Sequence, residues 1–196
     1  MVAVDLLVVG LGNPGAEYRR SRHNVGAEVV EILAARHHAR LKIDKKLRAA
    51  VDVVSVGGRR MALAIPTTYM NDSGLAVLPL VRRYEVEPEQ LVIVQDELDL
   101  PPAALKVKAG GGLAGHNGLR SIKAALHTDE FLRVRIGVGK PVTKERGADH
   151  VLTGFSKRER TEIDVTLEEA ADAVECILAD GVEAAMTKYN ARTAEP

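Results

Sequence analysis

The sequence predicts an α/β fold: a single domain over residues 1–196, with a twisted mixed β-sheet and helices on both faces. Three observations predict it. Residues 4–9 and 91–94 are continuous apolar runs, as suits strands buried on both sides. Segments of helical periodicity alternate with such runs along the chain. A Gly57-Gly58 pair between two strand-like runs signals an antiparallel hairpin, which makes the sheet mixed. A chain of 196 residues suits one domain with a sizeable core. With two Phe and no Trp, that core must be built from Val, Leu, Ile and Ala.

Residues 4–9 form the first strand. Val25, Val29, Ile32 and Leu33 have helical spacing, in a helix that begins near Asn24. Residues 49–56 and 60–65 are strands joined across the glycine pair. Residues 66–70 form a loop, and Asn71 can cap the next helix, which Pro79 should kink or shorten. The strand at 91–94 ends at Gln95-Asp96, and 105–108 is a short alternating strand. Gly110-Gly-Gly112 leads through Gly115-His-Asn-Gly118 into a helix ending near His127, and 131–138 is a strand. Ser156 and Glu159 form a capping box for a long helix. Its apolar stripe runs through Ile163, Leu167, Ala170, Val174, Ile177 and Leu178, and Gly181 is placed to end it.

Formal net charge is zero, with 27 basic and 27 acidic residues, so bulk charge gives no nucleic-acid signal. Local charge does. Arg19, Arg20 and Arg22 cluster beside one polar loop; Lys106, Lys108, Arg120 and Lys123 flank another; Arg133, Arg135 and Lys140 come after. The single cysteine, Cys176, falls on the apolar face of the long helix and allows no internal disulfide, which fits a reducing compartment. No run approaches the roughly 18 apolar residues of a membrane span, and the N-terminus has no basic leader with a long apolar stretch. A soluble, cytoplasmic protein without membrane attachment is expected.

Gly10, Gly12 and Gly15 fit G-x-G-x-x-G after an apolar strand, the outline of a dinucleotide-binding turn. Pro14 stands where a nucleotide-binding helix should open, and no acid ends a second strand about 20 residues on. The loop instead presents Asn13 and His23 at the end of the first strand. Asn71, Asp96 and the His116-Asn117 pair are also predicted just past strand ends, where open α/β sheets bind ligands. A neutral histidine can take a proton from water near pH 7, and a carboxylate on its other nitrogen would fix the tautomer. Asp96 is the best partner, and water is the favoured nucleophile, since no Ser or Cys stands in a nucleophile turn. Asparagine amides can donate to an oxyanion or grip a peptide backbone. Each residue has a structural alternative: a helix-start cap for His23 and Asn71, a loop cap for Asp96, a turn for Asn13, glycine-rich packing for His116. His37, His38, His127 and His150 read as surface. No metal-ligand spacing is present, so no metal is expected. Residues 110–118 could equally be a phosphate cradle or a tight turn. Alternation puts Lys106 with Lys108, and Arg133 with Arg135, on common strand faces, where two such pairs could clamp a phosphate.

Several motifs occur together: Gly10-Leu-Gly-Asn-Pro-Gly15, Arg22-His-Asn-Val-Gly26, Pro66-Thr-Thr-Tyr-Met-Asn-Asp-Ser-Gly74, Asp96-Glu-Leu-Asp-Leu-Pro101, residues 110–119 and Arg133-Val-Arg-Ile-Gly137. In that order they resemble bacterial peptidyl-tRNA hydrolase. The resemblance implies cleavage of the ester joining a peptide to the tRNA 3′ ribose, by a monomer that needs no metal or other cofactor. It further implies that His23 activates water, Asp96 orients His23, and Asn13 recognises a blocked amino group. Asn71 and Asn117, with His116 in the same loop, would hold the peptide backbone and the 3′ end, Tyr18 and Tyr69 would line the cleft, and Lys108 and Arg135 would clamp phosphate. One departure stands out: Ala114 precedes Gly115 where the family usually has a second glycine. Two other classes compete, a non-catalytic RNA-binding protein on the same scaffold and a nicotinamide-dependent oxidoreductase. The joint presence of Asn13, His23, Asn71 and Asp96 favours the enzyme, and Pro14 disfavours the oxidoreductase.

Overall fold

Seven strands form one sheet in a computed structural model that describes residues 2–191. In chain order the elements are β1 (Leu6–Gly10), α1 (Val25–Arg36), β2 (Lys42–Asp44), β3 (Ala49–Val56), β4 (Arg59–Pro66), α2 (Gly74–Tyr84), β5 (Leu91–Glu97), β6 (Leu105–Ala109), α3 (Asn117–Leu126), β7 (Leu132–Gly137), α4 (Gly147–Leu152), α5 (Lys157–Asp180) and α6 (Val182–Asn190). The spatial order is β2-β3-β4-β1-β5-β7-β6. β1 runs parallel to β4 and β5, and β5 parallel to β7. The outer pairings β2–β3, β3–β4 and β6–β7 are antiparallel, so the sheet is mixed, as the hairpin implied.

β1 and β5 are buried throughout, which explains why their sequences do not alternate. Leu6 and Val8 pack with Val29 and Leu33 of α1, Val174 of α5 and Tyr189 of α6. Leu7 and Val9, on the other face, pack with Val77 and Leu80 of α2 and Leu119 and Ile122 of α3. Both sheet faces are thus covered. The stripe on α5 is buried as its spacing predicts, the Ser156–Glu159 capping box is made in both directions, and Gly181 ends the helix.

Several expectations need correction. β2, α4 and α6 were not read from the sequence. β2 has three residues and two of them are exposed, so it carries no apolar run. Strand β5 continues to Glu97, so Asp96 lies inside a buried strand rather than past its end. Asn71 caps nothing: it sits in a short 3₁₀ turn, Met70–Asp72, and Ser73 precedes α2. Pro79 does not stop α2, which runs on to Tyr84. The carbonyl its missing N–H would have met belongs to exposed Leu75 in the first turn.

Two glycines allow close approaches that shape the polar end of the sheet. A Cβ on Gly26, at the start of α1, would collide with the Val94 carbonyl oxygen of β5. Only glycine lets α1 press onto the carboxyl ends of β1 and β5, and this brings the turn Arg22–Asn24 against β5. Gly74 does the same between α2 and α3, where a Cβ would strike the Ser121 carbonyl.

Candidate active site

Adjacent strands β4, β1 and β5 deliver the polar residues to one place. The turn after β4 carries Asn71, the long connection after β1 carries Asn13 and His23, and β5 itself carries Asp96. His23 Nδ1 lies 2.8 and 2.9 Å from the two Asp96 carboxylate oxygens, across 73 residues of sequence. Asp96 is 2% exposed. His116 completes the group, with Nε2 2.9 Å from Asp96 Oδ1. The other His116 nitrogen, Nδ1, accepts the backbone N–H groups of Gly118 and Leu119 at 3.1 and 3.3 Å and so caps α3. An accepting Nδ1 carries a lone pair, so the proton of a neutral His116 is on Nε2 and is donated to Asp96. His23 likewise donates Nδ1–H, which leaves its Nε2 as a proton acceptor. Burial alone would raise the Asp96 carboxyl. The attraction of His116 and the hydrogen bonds from both imidazoles outweigh burial and hold it well below the usual carboxylate range.

The Asn13 loop is held by Asn24. Asn24 Oδ1 accepts the Asn13 N–H at 2.8 Å, and Asn24 Nδ2 donates to the Asn13 carbonyl at 2.9 Å. The Asn13 side-chain oxygen accepts the Met70 N–H at 2.7 Å, so the amide NH₂ is the end left for a ligand. Asn13, Tyr18, His23, Tyr69, Asn71 and Asn117 border one cleft of about 330 Å³, with Ala148, Val151 and Leu152 on its far wall. A lobe of about 220 Å³ continues past His23 and Asp96 to Ala114 and His116. A proton acceptor, a buried anion behind it and amide donors around one opening can support addition of water to a carbonyl.

A sequence model described as Peptidyl-tRNA hydrolase matches residues 7–196. The chain belongs to the peptidyl-tRNA hydrolase family. It is 48% identical over 190 residues to "Peptidyl-tRNA hydrolase" of Mycolicibacterium vanbaalenii, covering 97% of this chain and 99% of that one. It is 50% identical over 184 residues to the protein of the same name from Nocardia farcinica, covering 94% and 95%. The crystal structure of peptidyl-tRNA hydrolase from Acinetobacter baumannii superposes with a TM-score of 0.91 at 39% identity, covering 97% of each chain.

Within this family fold the basic residues divide into two groups. Arg22, read as part of a surface cluster, is buried; it donates to Thr153 Oγ1 at 2.8 Å and pairs with Glu159 at 3.1 Å. Arg133, read as half of a phosphate clamp, is 1% exposed and donates to the carbonyls of Gly111, Gly112 and Asp129. It holds the glycine loop from beneath. Arg135 and Lys108 keep partial exposure, and Arg135 Nε pairs with buried Glu97 at 3.1 Å. In the loop at 110–118 the N–H groups of Gly110, His116 and Gly118 are taken internally, and that of Leu119 follows suit at the start of α3. Both ring nitrogens of His116, a predicted substrate-binding residue, are engaged inside the protein, while the residue itself lines the lobe beside His23. His37 is not a free surface group either, because its Nε2 meets Glu175 at 2.7 Å.

Asn24, Arg22 and Arg133 were missed as organisers of the site. Nothing in their spacing marks those roles: Asn24 reads as the start of a helix, Arg22 as part of a basic cluster and Arg133 as half of a phosphate clamp. Spacing also concealed one cluster: His23, Asp96 and His116 offer three ligand atoms within 4.8 Å of one another. Its bonding suits protons rather than a metal ion. A metal on His116 Nε2 would move the proton to Nδ1, where two backbone N–H groups already point.

Proposed function

We propose that this protein hydrolyses the ester between a peptide, or an N-blocked aminoacyl group, and the 3′ ribose of tRNA. The carrying observation is the 2.8 Å hydrogen bond from His23 Nδ1 to Asp96 beside a cleft bordered by Asn13, Asn71 and Asn117. His23 Nε2 takes a proton from water as the oxygen attacks the ester carbonyl. Asp96 stabilises the imidazolium that forms. Amide donors among the three asparagines stabilise the tetrahedral oxyanion. The intermediate then expels the ribose oxygen, which takes the proton from His23, giving free tRNA and a peptide acid.

Asn13 supplies selectivity. With its oxygen held by Met70, it offers NH₂ donors, which suit the carbonyl of a blocked amino group. A free ammonium is itself only a donor and finds no acceptor there. His116 acts through Asp96 as a positioning residue. Tyr18 and Tyr69 wall the cleft, and Lys108 and Arg135 bind phosphate at the acceptor end. In this reading the protein works as a monomer in the cytoplasm, as the family resemblance implies. Among the described residues, no helix is long and apolar enough to cross a membrane.

The test is incubation with N-acetyl-aminoacyl-tRNA, free aminoacyl-tRNA and NAD. Release of the acetylated amino acid, little release of the free one, and loss of about 10²- to 10⁴-fold in kcat for His23→Ala are expected. Full activity of that variant would overturn the base assignment. tRNA binding without turnover would overturn the hydrolase reading.

A further inference from the structure

We infer that the groove between the Asn13 loop and the β2–β4 edge of the sheet is the subsite for the upstream residues of the peptide, with a preference for apolar side chains; the inference rests on the proposed hydrolase function. The groove measures about 460 Å³ and is separate from the catalytic cleft except at Asn13, which lines both. Its wall is aliphatic: Ala27 of α1, Leu41, Ile43 of β2, and Ile65 with Pro66 of β4. Ile43 is 69% exposed, a large apolar side chain on an edge strand that the described residues leave open.

The substrate has two arms that leave the ester in different directions, one peptide and one RNA. The sheet order decides which arm goes where. The catalytic pair stands over β1 and β5, in the middle of the sheet. On one side lie β7 and β6, carrying Arg135, Lys106 and Lys108 on a common face. On the other side lie β4, β3 and β2, beneath the aliphatic groove. Phosphates belong with the cations. The groove instead carries Glu28 and Glu31 at its edge, with Arg19 the cation near Glu31. Glu28 is neutralised by Arg160, which reaches it from α5. The two carboxylates balance the two cations, so the groove offers a polyphosphate chain no net positive charge, whereas an uncharged peptide backbone with aliphatic side chains finds apolar surface to cover. Asn13 stands where the two spaces meet. An NH₂ that donates to the first blocking carbonyl therefore points the next residue of the peptide toward Ile43.

The experiment compares one tRNA carrying N-acetyl-valine with the same tRNA carrying N-acetylated valine di-, tri- and pentapeptides. For the wild type, kcat/KM should rise with length over the first few residues and then level off. Ile43→Asp should abolish that gain, by roughly tenfold on the pentapeptide, the size expected for half-burying one aliphatic side chain. Activity on N-acetyl-valyl-tRNA should be unchanged, and Ile43→Leu should restore the gain. Because Ile43 is exposed, its replacement leaves the core intact. A wild type indifferent to length, or an Ile43→Asp variant that keeps the full gain, overturns the subsite and leaves the hydrolase standing. No cleavage of N-acetyl-valyl-tRNA by the wild type overturns the hydrolase itself, and the subsite with it.

Discussion

Asp96 illustrates how a single carboxylate can be both buried and ionised. Burial opposes its charge, and the two imidazole donors more than compensate. The folded protein therefore binds the Asp96 proton more weakly than the unfolded chain, where a carboxyl titrates near about 3.9. A lowered native value means that Asp96 contributes full stability above the unfolded value. That contribution is lost as pH falls below about 4 and towards the native value. We expect Asp96→Asn to lower kcat by about 10²-fold or more, because the amide cannot stabilise an imidazolium. We also expect the variant's urea midpoint to fall less than that of the wild type between pH 5 and pH 3. Equal falls would mean that Asp96 is not the depressed group. The His23–Asp96 pairing was legible in the sequence because both residues follow buried apolar runs and stand in motifs that resemble those of the family. The participation of His116 was not: a histidine among glycines gives no hint that one nitrogen caps a helix while the other holds a carboxylate.

At the scale of elements, the parts that could be read were those whose pattern reports burial directly. Continuous runs gave β1 and β5, the glycine pair gave the β3–β4 turn, and the capping box gave the start of α5. What could not be read depends on partners distant in sequence. Arg133 lies on a strand whose alternation suggests exposure, yet the glycine loop folds over it and supplies carbonyl acceptors. The same loop holds Ala114 at φ 49°, the left-handed region, with Gly115 next at φ 72°. A Cβ in that region costs about 1 kcal/mol or more. Since Ala114 is exposed and lines the lobe beside His116, the cost has no evident return in packing. Ala114→Gly is expected to raise stability by up to about 1 kcal/mol, less than the full strain because glycine also loosens the unfolded chain. Chemical denaturation at neutral pH measures this, and a destabilised variant would show that the turn is not strained.

For the whole molecule, zero net charge conceals a division of labour across the sheet. The acidic residues of α5 pair with Arg36 of α1, where Glu168, Asp172 and Glu175 meet one guanidinium. Lys106, Lys108 and Arg135 of β6 and β7 lie on the sheet face opposite the one that α5 packs against. On the proposed reading, binding of tRNA on that face is a matter of phosphate neutralisation, sensitive to salt and indifferent to base sequence. Lys108→Ala should raise KM for N-acetyl-aminoacyl-tRNA, leave kcat near the wild-type value and reduce the slope of log KM against log salt by about one. Arg135→Ala should act in the same direction but less simply, because it also strands the buried carboxylate of Glu97. Different tRNAs should weaken together. A Lys108→Ala variant whose KM and salt slope match the wild type would place the RNA on another face, and with it would go the reason for sending the peptide towards β2.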